Sequence, residues 1–264
     1  MSLVSLEYEM SLYKSVAEST DPFLQAVGDE VTGFEEGDEV IALIPFDQQG
    51  AAAEYALVSS HDLAIKPPSL SFAEAASLPL SGLTAYQALI NHASATRCQK
   101  VLIIGAGGGT GVMAVQIAKS LRLVVSALCS GSKKDLVRSL GANAVFDYNI
   151  NPPSSLCHDY DIVLDLVGGK TLSQCIKLVK GNGQMVCVAC PATCDERSQR
   201  PDVRTDFFIV EPDGDELTEI VQMAEQGVIV PVVHTIIPFE KGAEAFKLLE
   251  KGHTTGKIVL TVDE

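Results

Sequence analysis

The sequence predicts an α/β chain in which a doubly wound parallel sheet follows a smaller β-rich segment. Three observations carry this. From residue 100 onward, short apolar runs alternate with helical patterns, and such alternation builds a parallel sheet through right-handed crossovers. The first of these runs, Val101 to Ile104, leads straight into a glycine-rich turn and a helix. Residues 27–66 differ, because their apolar pieces are cut by glycine and acidic turns, as in VGDEVTGFEEGDEVIALI.

Taken in order, Pro22 and the polar run AESTDP read as a loop, and EYEMSLYKSVAE before them has a helical reading. AAAEYALV (51–58) is strand-like. SFAEAASLPL reads as a short helix with Ser71 as its cap and Glu74 three residues on, a capping-box pattern. GLTAYQALINHA (82–93) reads as a longer helix. After VLIIG come a helix at 109–122, the strand VVSALC, a helix at 133–140 and the strands AVFDY and DIVLDLV. The linker NINPPSSLCHD is too short and too proline-broken for a good crossover helix, so that connection is abbreviated. A helix at 170–180 and the strands QMVCVA and DFFIV follow. The chain closes with a helix at 214–226, the strand HTIIPF, a helix at 240–251 and the strand KIVLTV.

Composition bounds the function. The chain has 264 residues, 47% of them hydrophobic, enough for a sizeable core. A net charge of −15 argues against nucleic acid or an anionic membrane as partner. No charged-then-apolar leader opens the sequence, which gives a cytoplasmic expectation. The seven cysteines show no disulfide rhythm. Cys187, Cys190 and Cys194 lack a fourth ligand at useful spacing, so buried thiols are favoured over a metal site. The five histidines form no His-x-x-x-His pair, and no Gly-x-Ser-x-Gly elbow is present.

The stretch VLIIGAGGGTGVMAVQIAKSLR (101–122) carries the chemistry. A strand, a tight glycine turn and a helix aim backbone N–H groups and a helix N-terminus at a phosphate. Ala106, Gly108 and Gly111 have the dinucleotide spacing, with Ala in place of the first Gly, and Gly107, Gly109 and Thr110 complete the turn. A Walker loop fails, because Val112 and Met113 follow Gly111 where Lys and Ser/Thr would be needed. A membrane span is disfavoured by the glycines within the stretch. A methyltransferase turn would carry an acid before the glycines, where Ile103 and Ile104 stand.

The next strand, LVVSALC, ends in Ser130-Gly131-Ser132-Lys133-Lys134, with no carboxylate before Asp135. An enzyme using NAD places Asp or Glu there to hold the ribose 2′-hydroxyl. A hydroxyl from Ser130 and a charge from Lys133 suit a 2′-phosphate, which favours NADPH. Ser130 or Ser132 could equally cap the helix KKDLVRSL, and the two roles are compatible.

Several stretches together resemble the zinc-free quinone-oxidoreductase-like branch of the medium-chain dehydrogenase/reductase superfamily. They are VGDEVTGFEEGDEV (27–40), EYALV (54–58), SFAEAASLPLSGLTAYQAL (71–89), VLIIGAGGGTGVMAVQIAK (101–119), SLGANAVFDY (139–148), DIVLDLVGG (161–169), FFIVEPDGDEL (207–217) and GKIVLTV (256–262). The resemblance implies a GroES-like catalytic domain at 1–85, completed by 236–264, and a Rossmann domain at 86–235. It implies hydride transfer from NADPH to a small quinone or α,β-unsaturated carbonyl substrate, without metal. By motif, Ala106 to Gly111 would hold the pyrophosphate, and Ser130, Lys133 and Tyr148 the 2′-phosphate. Thr84 and Phe208 to Val210 would border the nicotinamide. Read without the family, Tyr148 is a half-buried strand-end residue and Thr84 a core-facing helix residue. No general acid is identified; Thr84 and backbone N–H groups are the candidate donors. A homodimer through the FFIV edge is a further implication. Family members carry a longer stretch before VGDEV with an Asn/Asp/Arg motif that is not found here, so the catalytic domain is expected to be truncated. That departure supports an alternative role as an NADPH-binding partner or sensor.

Overall fold

The computed structural model describes residues 23–46, 56–252 and 254–262, together with the backbone of 10–14. By backbone proximity the chain forms two compact units, Met1–Leu83 with Glu211–Glu264, and Thr84–Val210. Residues 211–235, which the resemblance places in the Rossmann domain, group with the first unit.

The first unit begins with β1 (Met10–Lys14), a strand where EYEMSLYKSVAE suggested a helix. The antiparallel pair β2 (Val40–Ala42) and β3 (Leu63–Ile65) follows, and most of AAAEYALV lies outside the described residues. The capping box forms as read: Ser71 Oγ accepts from the Glu74 N–H, and Glu74 returns a carboxylate oxygen to the Ser71 N–H, starting α1 (Phe72–Ala76). The helix read at 82–93 is two elements. α2 (Pro79–Tyr86) starts with proline, which suits a helix's first position, and Gln87–His92 then continues as a π-type turn.

The second unit is a six-stranded, fully parallel sheet. Its strands are β4 (Lys100–Ile104), β5 (Val124–Cys129), β6 (Ala144–Asp147), β7 (Tyr160–Asp165), β8 (Val179–Cys187) and β9 (Arg204–Phe207). They lie in the order β6-β5-β4-β7-β8-β9. The order reverses between β4 and β7, the switch point beside which sheets of this kind bind ligands. The helices α3 (Gly109–Ser120) and α4 (Lys134–Ser139) link the first three strands. The β6–β7 connection is the abbreviated one expected, with only a 3-10 turn at Pro153–Ser155.

The helix expected at 170–180 is broken into a 3-10 turn, α5 (Leu172–Cys175) and a second 3-10 turn. Two left-handed glycines, Gly168 (φ +66) and Gly169 (φ +67), precede it, and Val179 is already paired with Tyr160 in the sheet. After β8 comes α6 (Cys194–Gln199). DFFIV is not wholly a strand, since β9 stops at Phe207 and leaves Phe208–Val210 outside the ladder.

The chain then returns to the first unit through α7 (Gly214–Glu225), β10 (Val233–Pro238), α8 (Gly242–Glu250) and β11 (Lys257–Val262). Strands β1, β11 and β10 form a parallel sheet. At the start of α7, a Cβ on Gly214 would lie 2.5 Å from the Leu63 carbonyl oxygen, so this helix packs closely on β3. Among the described residues no helix is long and apolar enough to cross a membrane.

Leu102, in the central strand β4, is completely buried. Leu102→Ala is expected to cost about 2–5 kcal/mol in chemical denaturation, the range for a core leucine whose cavity cannot fully collapse.

Candidate cofactor site at the carboxyl ends of β4, β5 and β6

The glycine turn is shaped by two tight positions. Gly105 leaves β4 with φ +85, and a Cβ there would meet Val167 at 2.9 Å. A Cβ on Gly111 would lie 2.3 Å from the Gly105 carbonyl oxygen and 2.6 Å from the Ala106 carbonyl carbon. These neighbours are backbone and cannot swing aside. Gly111 therefore lets α3 press its first turn against the loop. Gly108 is the N-cap and has no side chain to cap with. The first-turn N–H groups of Gly109, Thr110 and Gly111 have no acceptor within the helix, and they sit at the positive end of a twelve-residue dipole.

Two further strand ends join this turn. The N–H groups of Gly105 and Ala106 both donate to the Leu128 carbonyl, at 3.0 and 3.1 Å. The Tyr148 N–H donates to the Cys129 carbonyl at 3.1 Å, bringing β6 alongside β5. Lys133 reaches back across the loop and donates from Nζ to the Gly107 carbonyl at 3.3 Å. Ala106 to Gly111, Ser130, Lys133 and Tyr148 thus share one corner. The Ser130 hydroxyl does not cap the following helix; its oxygen lies 3.2 Å from that of Ser132. Tyr148 is exposed, beyond the end of its strand.

One residue at this corner was not singled out by sequence reasoning. Asp147, at the end of β6, is buried beneath the 130–133 turn, so that a Cβ on Gly131 would lie 2.4 Å from its Oδ2. Its Oδ1 accepts from the backbone and side-chain nitrogens of Asn149, both at 3.0 Å. The FDY pattern shows the residue but not the neighbour that needs Gly131 bare.

A second carboxylate closes the adjoining turn. Asp165 ends β7 beside Ile104 of β4 and is fully buried. Its Oδ1 accepts from the Val167 and Gly168 N–H groups, each at 3.0 Å, while Oδ2 is buried with no hydrogen-bond partner among the described residues. Burial raises the Asp165 carboxyl above the ordinary aspartate range, against the lowering by those two backbone bonds. Through Val167 this turn abuts Gly105, so it buttresses the glycine loop.

The residues assigned to the nicotinamide end stand as follows. Thr84 is on α2 and almost wholly buried. Phe208 and Val210 are buried and Ile209 is exposed, all beyond the end of β9.

The turn fits a dinucleotide pyrophosphate: bare Gly111 lets the first turn of α3 pack against the backbone of Gly105 and Ala106, which leaves that helix N-terminus at the end of β4. Among the described residues, no three His, Cys, Asp or Glu side chains are grouped to hold an ion. Burial pushes the Cys175 and Cys187 thiols up to about 12, which opposes the thiolate a metal would need.

Comparisons with known proteins follow this geometry. Residues 140–260 match a family model described as zinc-binding dehydrogenase. The chain is 34% identical over 268 residues to the mitochondrial NAD(P)H oxidoreductase RTN4IP1 of Bos taurus, covering 89% of this chain and 67% of that protein. It is 34% identical over 244 residues to an NADPH-dependent alkenal/one oxidoreductase of Arabidopsis thaliana, a chloroplastic protein, covering 89% and 60%. The solved quinone oxidoreductase of Coxiella burnetii superposes with a TM-score of 0.83 at 29% identity, covering 90% of this chain and 76% of that one.

Two variants test the corner. Gly111→Ala is expected to lower thermal stability and weaken dinucleotide binding together, because its Cβ meets backbone that cannot move. Asp165→Asn keeps the oxygen that accepts from Val167 and Gly168 but cannot ionise. A carboxyl raised on folding contributes most below its unfolded value and loses that contribution as pH rises. Denaturation from mildly acid to neutral pH should therefore shift in favour of Asn as pH increases; a pH-independent difference would refute it.

Proposed function

The chain belongs to the medium-chain dehydrogenase/reductase superfamily, with quinone-oxidoreductase-like relatives, and on that footing we propose that it is an NADPH-dependent reductase of quinones or α,β-unsaturated carbonyls. That it is an oxidoreductase follows from the relatives it matches across most of its length. The preference for NADPH and the acceptor class are our proposal. The single observation that best supports NADPH is the corner where Lys133 crosses the glycine turn beside the Ser130 hydroxyl. The name of the Arabidopsis relative supports the same acceptor class.

In this reading the pyrophosphate is held by the bare turn from Ala106 to Gly111 and the N-terminus of α3. The 2′-phosphate is held by Ser130 and Lys133, with Tyr148 beside it. Lys133 releases the Gly107 carbonyl to do so, exchanging a neutral acceptor for a charged one; charge-assisted bonds of that kind are worth about twice a neutral one. Thr84 and Phe208 to Val210 border the nicotinamide ring. The bound cofactor supplies hydride, and the protein supplies orientation, worth about 7–11 kcal/mol where alignment is good. An oxyanion developing on the acceptor needs a donor, and Thr84 and backbone N–H groups fill that role in this reading, with solvent as the final proton source. No step is assigned to a metal. We further propose a cytoplasmic homodimer associating through the FFIV edge; related proteins are named as mitochondrial and chloroplastic, so fractionation and solution mass decide these points.

Titration followed by nicotinamide fluorescence should show NADPH binding more tightly than NADH. Lys133→Ala should weaken NADPH about tenfold or more and leave NADH nearly unchanged, a selective loss of about 1.4 kcal/mol. Tighter NADH binding would overturn the cofactor assignment. Purified protein should oxidise NADPH with members of a quinone and enone panel; binding without turnover would favour the sensor role.

A further inference from the structure

Strand β9 is the outer strand of its sheet, and its last ladder partner is Phe207, paired with Cys187. From Phe208 onward no strand pairing is seen among the described residues, and one side chain meets this stretch of chain twice. The His92 ring stacks on Phe208 with centroids 4.0 Å apart and planes 20° from parallel. Its Nδ1 lies 2.9 Å from an Asp206 carboxylate oxygen. A carboxylate only accepts, so Nδ1 carries the hydrogen and donates it. Asp206 and Phe208 are two residues apart, the spacing that brings extended side chains to one side of the chain.

His92 is itself fixed. It closes the π-type turn Gln87–His92, a helical irregularity of the kind often found at functional sites. The Ala93 N–H donates to the Ala88 carbonyl at 2.9 Å, five residues back, and the Gln184 side chain on β8 donates to the His92 carbonyl at 2.8 Å. Asp206 also faces the Arg204 guanidinium, at 3.7 Å. The imidazole thus links a helix terminus anchored to β8 with the point where β9 leaves the sheet.

We propose that His92 is a positioning residue for the nicotinamide end of the cofactor site, setting the path of Phe208–Val210 through its stack on Phe208 and its bond to Asp206. This rests on the functional reading above, in which that segment borders the nicotinamide. His92 touches neither cofactor nor substrate in this assignment and acts through Phe208.

The test compares His92→Ala, His92→Phe, which keeps a stacking ring but no donor, and Asp206→Asn, which keeps an acceptor but no charge. Hydrogen exchange of the 205–211 backbone is read without cofactor, beside NADPH affinity and the KM and kcat for an enone; thermal melting identifies variants that remain folded. His92→Ala should speed exchange in 205–211 and weaken NADPH about tenfold, with the KM for the enone little changed. His92→Phe should restore most of the affinity, and Asp206→Asn should fall between. Unchanged exchange in folded His92→Ala would overturn the proposal, as would faster exchange with wild-type NADPH affinity, which marks a merely structural contact. Absence of NADPH binding in the wild-type protein would instead overturn the functional reading and remove this assignment with it, while the cofactor-free exchange would still report whether His92 holds the segment.

Discussion

The closest backbone approach on which the candidate site depends is that between Gly111 of α3 and the turn at Gly105 and Ala106. There the position of a Cβ would fall 2.3 Å from a carbonyl oxygen. Because nothing occupies it, the helix can start immediately under the strand end, and its first N–H groups open onto the end of the sheet. The neighbouring parts are arranged around that contact. The Leu128 carbonyl receives two N–H groups from the turn, tying it to β5, and Val167 packs against Gly105 from the β7 side. Asp165 holds the Val167 turn from below with one buried oxygen. A dinucleotide site of this kind is set by backbone, which is why a glycine pattern in the sequence can announce it.

The legible part of the chain was the part governed by local rules. Alternation of apolar runs marked the parallel strands, and the Ser71–Glu74 spacing marked a capping box that forms with both its bonds. The proline-rich linker correctly announced a connection without a proper helix. The corner joining the glycine turn, Ser130, Lys133 and Tyr148 was also visible, because a parallel sheet brings successive carboxyl ends to one edge.

What was not legible depends on partners distant in sequence. LSQCIKLV has helical periodicity, yet left-handed glycines delay its start and β8 captures Val179, leaving four α-helical residues. FFIV has the composition of a strand, but the ladder with β8 ends at Phe207 and the last three residues take another course. The run to His92 keeps helical hydrogen bonding while changing its period, a change that composition does not encode. Asp147 and Asp165 stand in the strand runs AVFDY and DIVLDLV, and nothing in those runs marks them as buried. Their burial comes from Gly131 on one side and from the 165–168 turn on the other, contacts that only the folded chain supplies.

The acidic balance of the chain raises a physical question that the corner itself answers. A net charge of −15 repels an anionic ligand at long range. At physiological ionic strength that repulsion is screened beyond about 8 Å, whereas contacts within the turn act at hydrogen-bond distance with little solvent between. The first-turn N–H groups, which have no acceptor within the helix, the helix dipole and Lys133 all act at that short range. Asp147 lies in the same corner but buried, with one carboxylate oxygen already engaged by Asn149. One of its oxygens is therefore engaged before any ligand arrives, and the side chain that reaches across the glycine turn is the Lys133 cation. Local geometry, rather than net charge, decides what sign of ligand this edge of the sheet accepts.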